Sequence, residues 1–339
     1  MANSSDIGSK YVIVVGTSAG GLSALKKLLA HFNEDFPVPI LIVQHISADA
    51  VGNVLVDNLT RSSKLKVLHP KSGDRLLPGS AYIAASDHHL MIDEDKKILI
   101  TKGAHENRSR PAINPLFRSA AVSYGSGVIG ILLTGYLDDG TAGLEVIKRC
   151  GGICIVQDPN DADYPDMPQN AINKIKPDYI LPIAEMGGII YQLIAKNPAK
   201  QRTISKDILI ETAIATRVTS DLASVNTLGS QVPFNCPGCG GVLWKVGDGE
   251  SSRFRCHTGH AYTAATLLAE QTMKIEETMW TALRMFEERK NLLDNIAQGK
   301  SGATSKSAQE RSAATQEHIE RIRHILLADD KGTDGDVPV

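Results

Sequence analysis

The stretch "YVIVVGTSAGGLSALKKLLAHF" (11–32) decides how this chain is read. An apolar run at 11–15 enters a glycine-rich turn, and the turn opens onto leucines at 22, 25, 28 and 29 with helical spacing. A second apolar run, "PILIVQ" (39–44), follows. Val- and Ile-rich runs without polar alternation suit strands buried on both faces. Strand, helix and strand over about thirty residues make a βαβ unit and imply a parallel sheet. "GVIGILLT" (127–134), the helical "TAGLEVIKRC" (141–150) and "GICIVQ" (152–157) continue the pattern. The predicted fold is α/β: a doubly wound, mostly parallel sheet over 9–197, with helices on both faces. Residues 65–104 carry shorter alternating strands, read as an edge hairpin or insertion.

The glycine turn has two readings. Gly16, Gly20 and Gly21 resemble a degraded dinucleotide loop, while Gly16, Ser18 and Gly20 spell G-x-S-x-G, the mount of a serine nucleophile. A dinucleotide would require an acidic residue about 20 positions on, at the end of the second strand, to hold the ribose hydroxyls. That strand ends in His45. For a nucleophile the requirements are met: Ser18 sits where strand becomes helix, His45 ends the next strand, and "LLTGYLDDGTAGL" puts Asp138 and Asp139 just beyond a third. The carboxyl ends of strands in an open α/β sheet line one crevice, so serine, base and carboxylate converge there. The helix N-terminus adds backbone N–H groups for an oxyanion. Taken singly, the serine is a helix cap, the histidine an ordinary strand-end residue and "DDG" a turn. Their common placement at strand ends favours the hydrolase. The chain order Ser, His, Asp differs from that of the α/β-hydrolases.

Composition narrows the setting. With 339 residues, 42% hydrophobic and 22% charged, the chain has the makeup of a soluble globular protein of more than one domain. A net charge of −2 gives no global attraction to nucleic acid or anionic membrane. No apolar run approaches the ~20 residues of a membrane span, and the N-terminus lacks a signal-peptide core. Three of the five cysteines cluster beside histidines, which argues for a reducing compartment and a cytoplasmic protein.

Six motifs in order carry a resemblance: "VVGTSAGGL", "IVQHIS", "GDRLLPGSAYIA", "NRSRPAINPLFRSAA", "GILLTGYLDDGTAGL" and "VQDPNDADYPDMPQNAI". Over about 9–195 the chain resembles the catalytic domain of the CheB-type chemotaxis receptor methylesterases. The resemblance implies hydrolysis of glutamate methyl esters on chemoreceptors with release of methanol, glutamine deamidation in some members, and no cofactor for catalysis. Carried over motif by motif, it implies Ser18 as nucleophile, His45 as base and Asp139, directly before the glycine, as the orienting carboxylate. Backbone N–H groups of Ala19 and of the Gly135–Tyr136 segment, Tyr136 foremost, become the oxyanion donors. Arg108 and Arg110 become candidate contacts to an acidic receptor surface. Asn114 stands where the family commonly has Asp. Chemotaxis members usually carry a phospho-receiver domain in front, and with only about ten residues before the first strand none is expected here. The other reading is a non-catalytic signalling adaptor that keeps this fold.

Beyond 197 the pattern changes. A helix at 206–218 and a polar connector fill 198–233. In 234–262, "CPGCGGVLWKVGDGESSRFRCHTGH" holds Cys236, Cys239, Cys256 and His260 in C-x2-C and C-x3-H pairs, with room for two short strands between. That is zinc-ribbon spacing, and four protein ligands make a structural site. His257 is the alternative fourth ligand. Lys245, Arg253 and Arg255 are offset by Asp248 and Glu250, so a nucleic-acid footprint is not supported. Residues 263–328 read as two helices with an apolar seam at Ile275, Met279, Ala282, Phe286, Leu293 and Ile296, to be buried in a hairpin, in a homodimer or on the first domain. The tail 329–339 reads as disordered, and Cys150 and Cys154 as core thiols.

Overall fold

A computed structural model describes residues 10–46, 53–217, 222–247, 252–299 and 301–328. The tail expected to be disordered lies outside these residues. The chain divides into two units, 1–263 and 264–339.

The first unit is built on a seven-stranded sheet of order β3-β4-β2-β1-β7-β8-β9. Its strands are β1 (Val12–Thr17), β2 (Ile40–Gln44), β3 (Lys66–Leu68), β4 (Ser80–Ile83), β7 (Val128–Leu132), β8 (Ile153–Gln157) and β9 (Tyr179–Leu181). Every pairing is parallel. Successive residues of the strands serve opposite layers. Ile13, Val15, Ile40, Ile42, Ile129 and Ile131 meet α1 (Gly21–Leu29) and α6 (Ile183–Ile194). Val12, Val14, Leu41, Val43, Val128 and Leu132 meet α3 (Ile113–Tyr124), α4 (Thr141–Arg149) and α5 (Asp166–Ile175). This two-sided burial is what runs such as "VIVV" and "ILIV" require. A further helix, α2 (Val54–Ser62), follows β2.

The region 65–104 does two things at once. β3 and β4 extend the main sheet in parallel, whereas β5 (His89–Ile92) and β6 (Ile98–Thr101) form a separate antiparallel hairpin that packs on α3. The helix α7 (Lys206–Arg217) packs back on α3, and Ile208 enters the same core. The polar connector is more ordered than its composition suggests. It holds α8 (Leu222–Leu228) and an edge strand, β10 (Gly229–Asn235), which opens a four-stranded antiparallel sheet with β11 (Val242–Val246), β12 (Arg253–Cys256) and β13 (Ala261–Thr263). Trp244 and Val246 share a small core with Ile214, Val225 and Leu228. The second unit is a hairpin of α9 (Ala264–Gly299) and α10 (Ala303–Leu327), joined by Arg323–Glu287 (2.6 Å), Ser312–Asp294 (2.5 Å) and the Phe286–His318 ring contact. Leu283 and Leu293 are buried in it, while Ile275 and Ile296 of the predicted seam stay exposed. No described helix is long and apolar enough to cross a membrane.

Candidate active site

The strand order reverses between β1 and β7: on one side of β1 the chain lays down β2, then β3 at the edge, then β4 between them, and on the other side it builds β7, β8 and β9. The loops after β1 and β7 therefore part company at this point and leave a crevice at the carboxyl edge. Ser18 follows β1 and Asp139 follows β7. Thr17 pairs with Gln44, so Ser18 and His45 are the next residues of adjacent strands, and the His45 N–H donates to the Thr17 carbonyl at 3.0 Å.

The Ser18 turn is locked from several directions. Its N–H donates to the Thr134 carbonyl (3.0 Å) and its carbonyl accepts from Gly21 N–H (3.0 Å) and Gln44 Nε2 (2.7 Å). Gly20 caps α1 at φ 75°, the left-handed region that favours glycine. A Cβ at Gly135 would sit 2.7 Å from the Ser18 Cβ, so this glycine lets the loop after β7 close on the serine. Neither Ala19 N–H nor Tyr136 N–H has a hydrogen-bond partner among the described residues. The Tyr136 ring packs on Tyr164 (4.7 Å).

His45 Nε2 lies 2.8 Å from Asp139 Oδ2. The carboxylate is 3% exposed and accepts two further hydrogen bonds, from Ile113 N–H to Oδ2 (2.7 Å) and from Asn107 Nδ2 to Oδ1 (3.2 Å). With Nε2–H donated to the carboxylate, the lone pair of a neutral ring lies on Nδ1. No hydrogen bond joins Ser18 Oγ to His45 among the described residues; such contacts are often long until substrate binds. Asp138 turns elsewhere, to Lys174 Nζ (3.5 Å) and Thr263 Oγ1 (3.4 Å). A cleft of about 980 Å3 opens from Ser18 past Leu22, Lys26, Gln44, His69 and His88.

Two asparagines that sequence reasoning did not assign complete the support. Asn107 holds Asp139. Asn114, buried on α3, accepts from Gly140 N–H (3.2 Å) and Gly143 N–H (2.7 Å) and so pins the "DDG" turn to the start of α4. An amide oxygen here accepts both hydrogen bonds where the family commonly has a carboxylate. Arg110 is committed within the fold, tying its loop to the one before β5: it donates to Asp87 Oδ1 (Nη2 2.5 Å, Nε 2.8 Å) and to the Gly103 carbonyl (2.8 Å). Hydrogen bonds from Lys102 and Arg110 hold the Asp87 carboxyl down at about 2. Arg108 is exposed, on a left-handed turn.

The ligand atoms of Cys236, Cys239, Cys256 and His260 lie within 4.8 Å of one another, and all five cysteines are free thiols. Cys239 and Cys256 sulfurs are 3.7 Å apart and Cys256 Sγ is 3.5 Å from His260 Nδ1. Two thiolates on one tetrahedral ion at ~2.3 Å would be about 3.8 Å apart, so the donor set fits a metal ion. Thr258 Oγ1 reaches Cys239 (3.3 Å) and Cys256 (2.8 Å), and Tyr262 Oη reaches Cys236 (3.4 Å). His257 is not in the cluster. Cys150 and Cys154 are core residues, and burial pushes the Cys154 thiol up to about 12.

The CheB methylesterase family profile matches residues 13–190. The chain is 36% identical over 182 residues to a protein-glutamate methylesterase/protein-glutamine glutaminase of Syntrophus aciditrophicus, covering 54% of this chain and 52% of that one. A Leptospira interrogans protein that bears the same name in provisional form is 36% identical over 185 residues, 55% of this chain and 95% of its own length. Among solved structures, the catalytic domain of Thermotoga maritima CheB methylesterase superposes with a TM-score of 0.51 at 31% identity, over 54% of this chain and 98% of that domain.

Proposed function

The chain belongs to the CheB methylesterase family, and from that premise we propose that it hydrolyses glutamate methyl esters on a receptor-like signalling protein. The observation that carries this reading is the His45–Asp139 pair at 2.8 Å, set beside Ser18 at the switch point of the sheet. Ser18 Oγ attacks the ester carbonyl carbon as His45 Nδ1 takes the hydroxyl proton. Asp139 keeps Nε2 protonated and stabilises the imidazolium. The oxyanion rests on the N–H groups of Ala19 and Tyr136, which have no other described partner. Collapse of the adduct breaks the bond to the methoxy oxygen, His45 returns its proton to that oxygen, and methanol leaves. Water, deprotonated by His45, then attacks the acyl-serine; the acyl–Oγ bond breaks, His45 returns the proton to Ser18 Oγ, and the glutamate is freed. A glutamine amide would follow the same path with ammonia as the leaving group.

The metal site belongs to the same proposal. Zinc on Cys236, Cys239, Cys256 and His260 supplies cross-linking only, because four protein ligands leave no open position. Metal analysis of protein purified without chelator should find about one zinc per chain; finding none would refute this assignment.

The reaction is tested by methanol release from a methylated receptor fragment. Ser18→Ala should lower turnover at least about a thousandfold with melting little changed, since the three groups act as a unit. Wild-type turnover in Ser18→Ala would overturn the reading.

A further inference from the structure

Resting on the site reading above, we infer that the Cys/His module is a working part of the active site. It holds the 105–110 loop in register, and through Asn107 it positions Asp139, so that loading of the metal site governs turnover.

The connection is direct. The final strand of the module, β13, lies along the loop: Asn107 N–H donates to the Ala261 carbonyl (2.9 Å), and Ala261 N–H to the His105 carbonyl (3.4 Å). These two residues bracket Glu106, whose Oε1 accepts from Arg118 Nη2 (2.7 Å) on α3 and from Arg255 Nη2 (2.9 Å) on β12. All three charged groups are buried, at 3%, 2% and 2% exposure. Arg255 also donates to the Gly259 carbonyl (3.1 Å), and the Cys256 N–H donates to the His260 carbonyl (3.0 Å). Arg255, Gly259 and Ala261 thus flank the metal ligands Cys256 and His260. A metal that fixes the knuckle 256–260 fixes the strap on the loop.

The loop needs such a strap. Asn107 and Arg108 stand at φ 48° and 66°, two consecutive non-glycine residues in left-handed backbone, which persists only where surroundings enforce it. The enforced turn aims the Asn107 amide at Asp139 Oδ1 (3.2 Å). A second tie runs from Thr263 Oγ1 to the neighbouring Asp138 (3.4 Å). When the knuckle loosens, Asn107 withdraws from Asp139, which keeps Ile113 and His45 but loses orientation. The cleft residues Leu22 and Lys26 stand on α1, away from this strap, so substrate binding persists while chemistry slows.

The test compares full-length protein loaded with zinc and stripped by a strong chelator. The readouts are kcat and KM for methanol release, the rate of Ser18 phosphonylation by a fluorophosphonate reporter, and the circular dichroism of the α/β fold. Stripping should lower kcat and the labelling rate roughly 10-fold, the worth of one hydrogen bond to a charged group, at unchanged KM, with recovery on adding zinc. Zinc-loaded Asn107→Ala should show the same fall and lose nothing further on stripping, because both act through one contact. Should stripping unfold the α/β fold, Arg255→Lys, which keeps the buried charge and all four ligands, takes its place: kcat falls with zinc content unchanged, and not in the Asn107→Ala background. Unchanged kcat and labelling on stripping or in Arg255→Lys, or losses that multiply with Asn107→Ala, overturn the inference while the site reading stands. A zinc-loaded wild type that is not labelled at Ser18 overturns the site reading and the inference with it.

Discussion

Replacing Asp139 by Asn perturbs the proposed chemistry with the least change of shape. The carboxylate accepts from His45 and Ile113 at Oδ2 and from Asn107 at Oδ1. An asparagine can keep its oxygen on the His45–Ile113 side if its NH2 faces Asn107, a clash that Asn107 relieves by turning its amide over. In the opposite orientation the NH2 faces Nε2 and drives the ring proton to Nδ1, away from where the nucleophile needs a base. In both, the charge that stabilises the imidazolium is gone. A wrong tautomer in a serine triad costs about 10⁴ in kcat, or ~5.4 kcal/mol, and losing the charge alone sets a floor near 10². Stability moves far less. Charge-assisted hydrogen bonds become neutral ones, weaker by ~1 kcal/mol each, while the desolvation cost of a buried carboxylate is removed. The net change is about 1 kcal/mol, or roughly 2–4 °C in melting for a domain of this size. The assay is methanol release from a tritiated methyl-ester receptor fragment, with thermal unfolding beside it. A variant within threefold of wild-type kcat at the same melting temperature would refute the assignment of Asp139.

Asn114→Ala strips the acceptor from two amide groups, Gly140 N–H and Gly143 N–H; at ~1–3 kcal/mol for each buried donor left unpaired, thermal unfolding should report a loss of about 2–6 kcal/mol, and Asn114→Asp should restore most of it. Glu106→Gln tests the buried ion network through pH. Burial alone would raise the Glu106 carboxyl, but the Arg118 and Arg255 guanidinium groups overcome it and hold the carboxyl well below its ordinary 4.5. Stabilisation by a depressed carboxyl is full above its unfolded value and is lost as pH falls toward the folded value. The melting gap between wild type and Glu106→Gln should therefore be constant from pH 8 to pH 5 and narrow only in stronger acid; a gap that closes between pH 7 and 5 would contradict the ion-pair account.

The sheet and the line of Ser18, His45 and the "DDG" turn were legible because each strand is an uninterrupted apolar run and each group sits one step past its end. Spacing could not choose between Asp138 and Asp139; their side chains leave a turn in opposite directions, and only the resemblance separated them. The helix α3 escaped periodicity analysis because nearly all of it is buried, between the sheet, the β5–β6 hairpin and α7, so it shows no polar face. The edge strand β10 escaped for the opposite reason: its side chains are mostly exposed, and its pairing comes from the β11 backbone. Asn107 acts through one side-chain hydrogen bond and Asn114 through two, all reaching across the fold, and these leave no local pattern. The four metal-ligand candidates were readable because C-x2-C and C-x3-H knuckles are local.

The Glu106 carboxylate also sets a schedule for biosynthesis. Its first partner, Arg118, is 12 residues downstream, while its second, Arg255, is 149 residues downstream. At roughly 5–20 residues per second, the ribosome delivers that second arginine about 7–30 s after the glutamate. For the later part of that interval, once β9 (Tyr179–Leu181) has been made, the nascent α/β sheet can form with Ser18, His45 and Asp139 all present, while the loop beside Asp139 lacks one of its two anchoring charges. The growing chain gains its last anchor only when the Cys/His segment has emerged, so the site is completed late in translation, well after the residues proposed to do its chemistry.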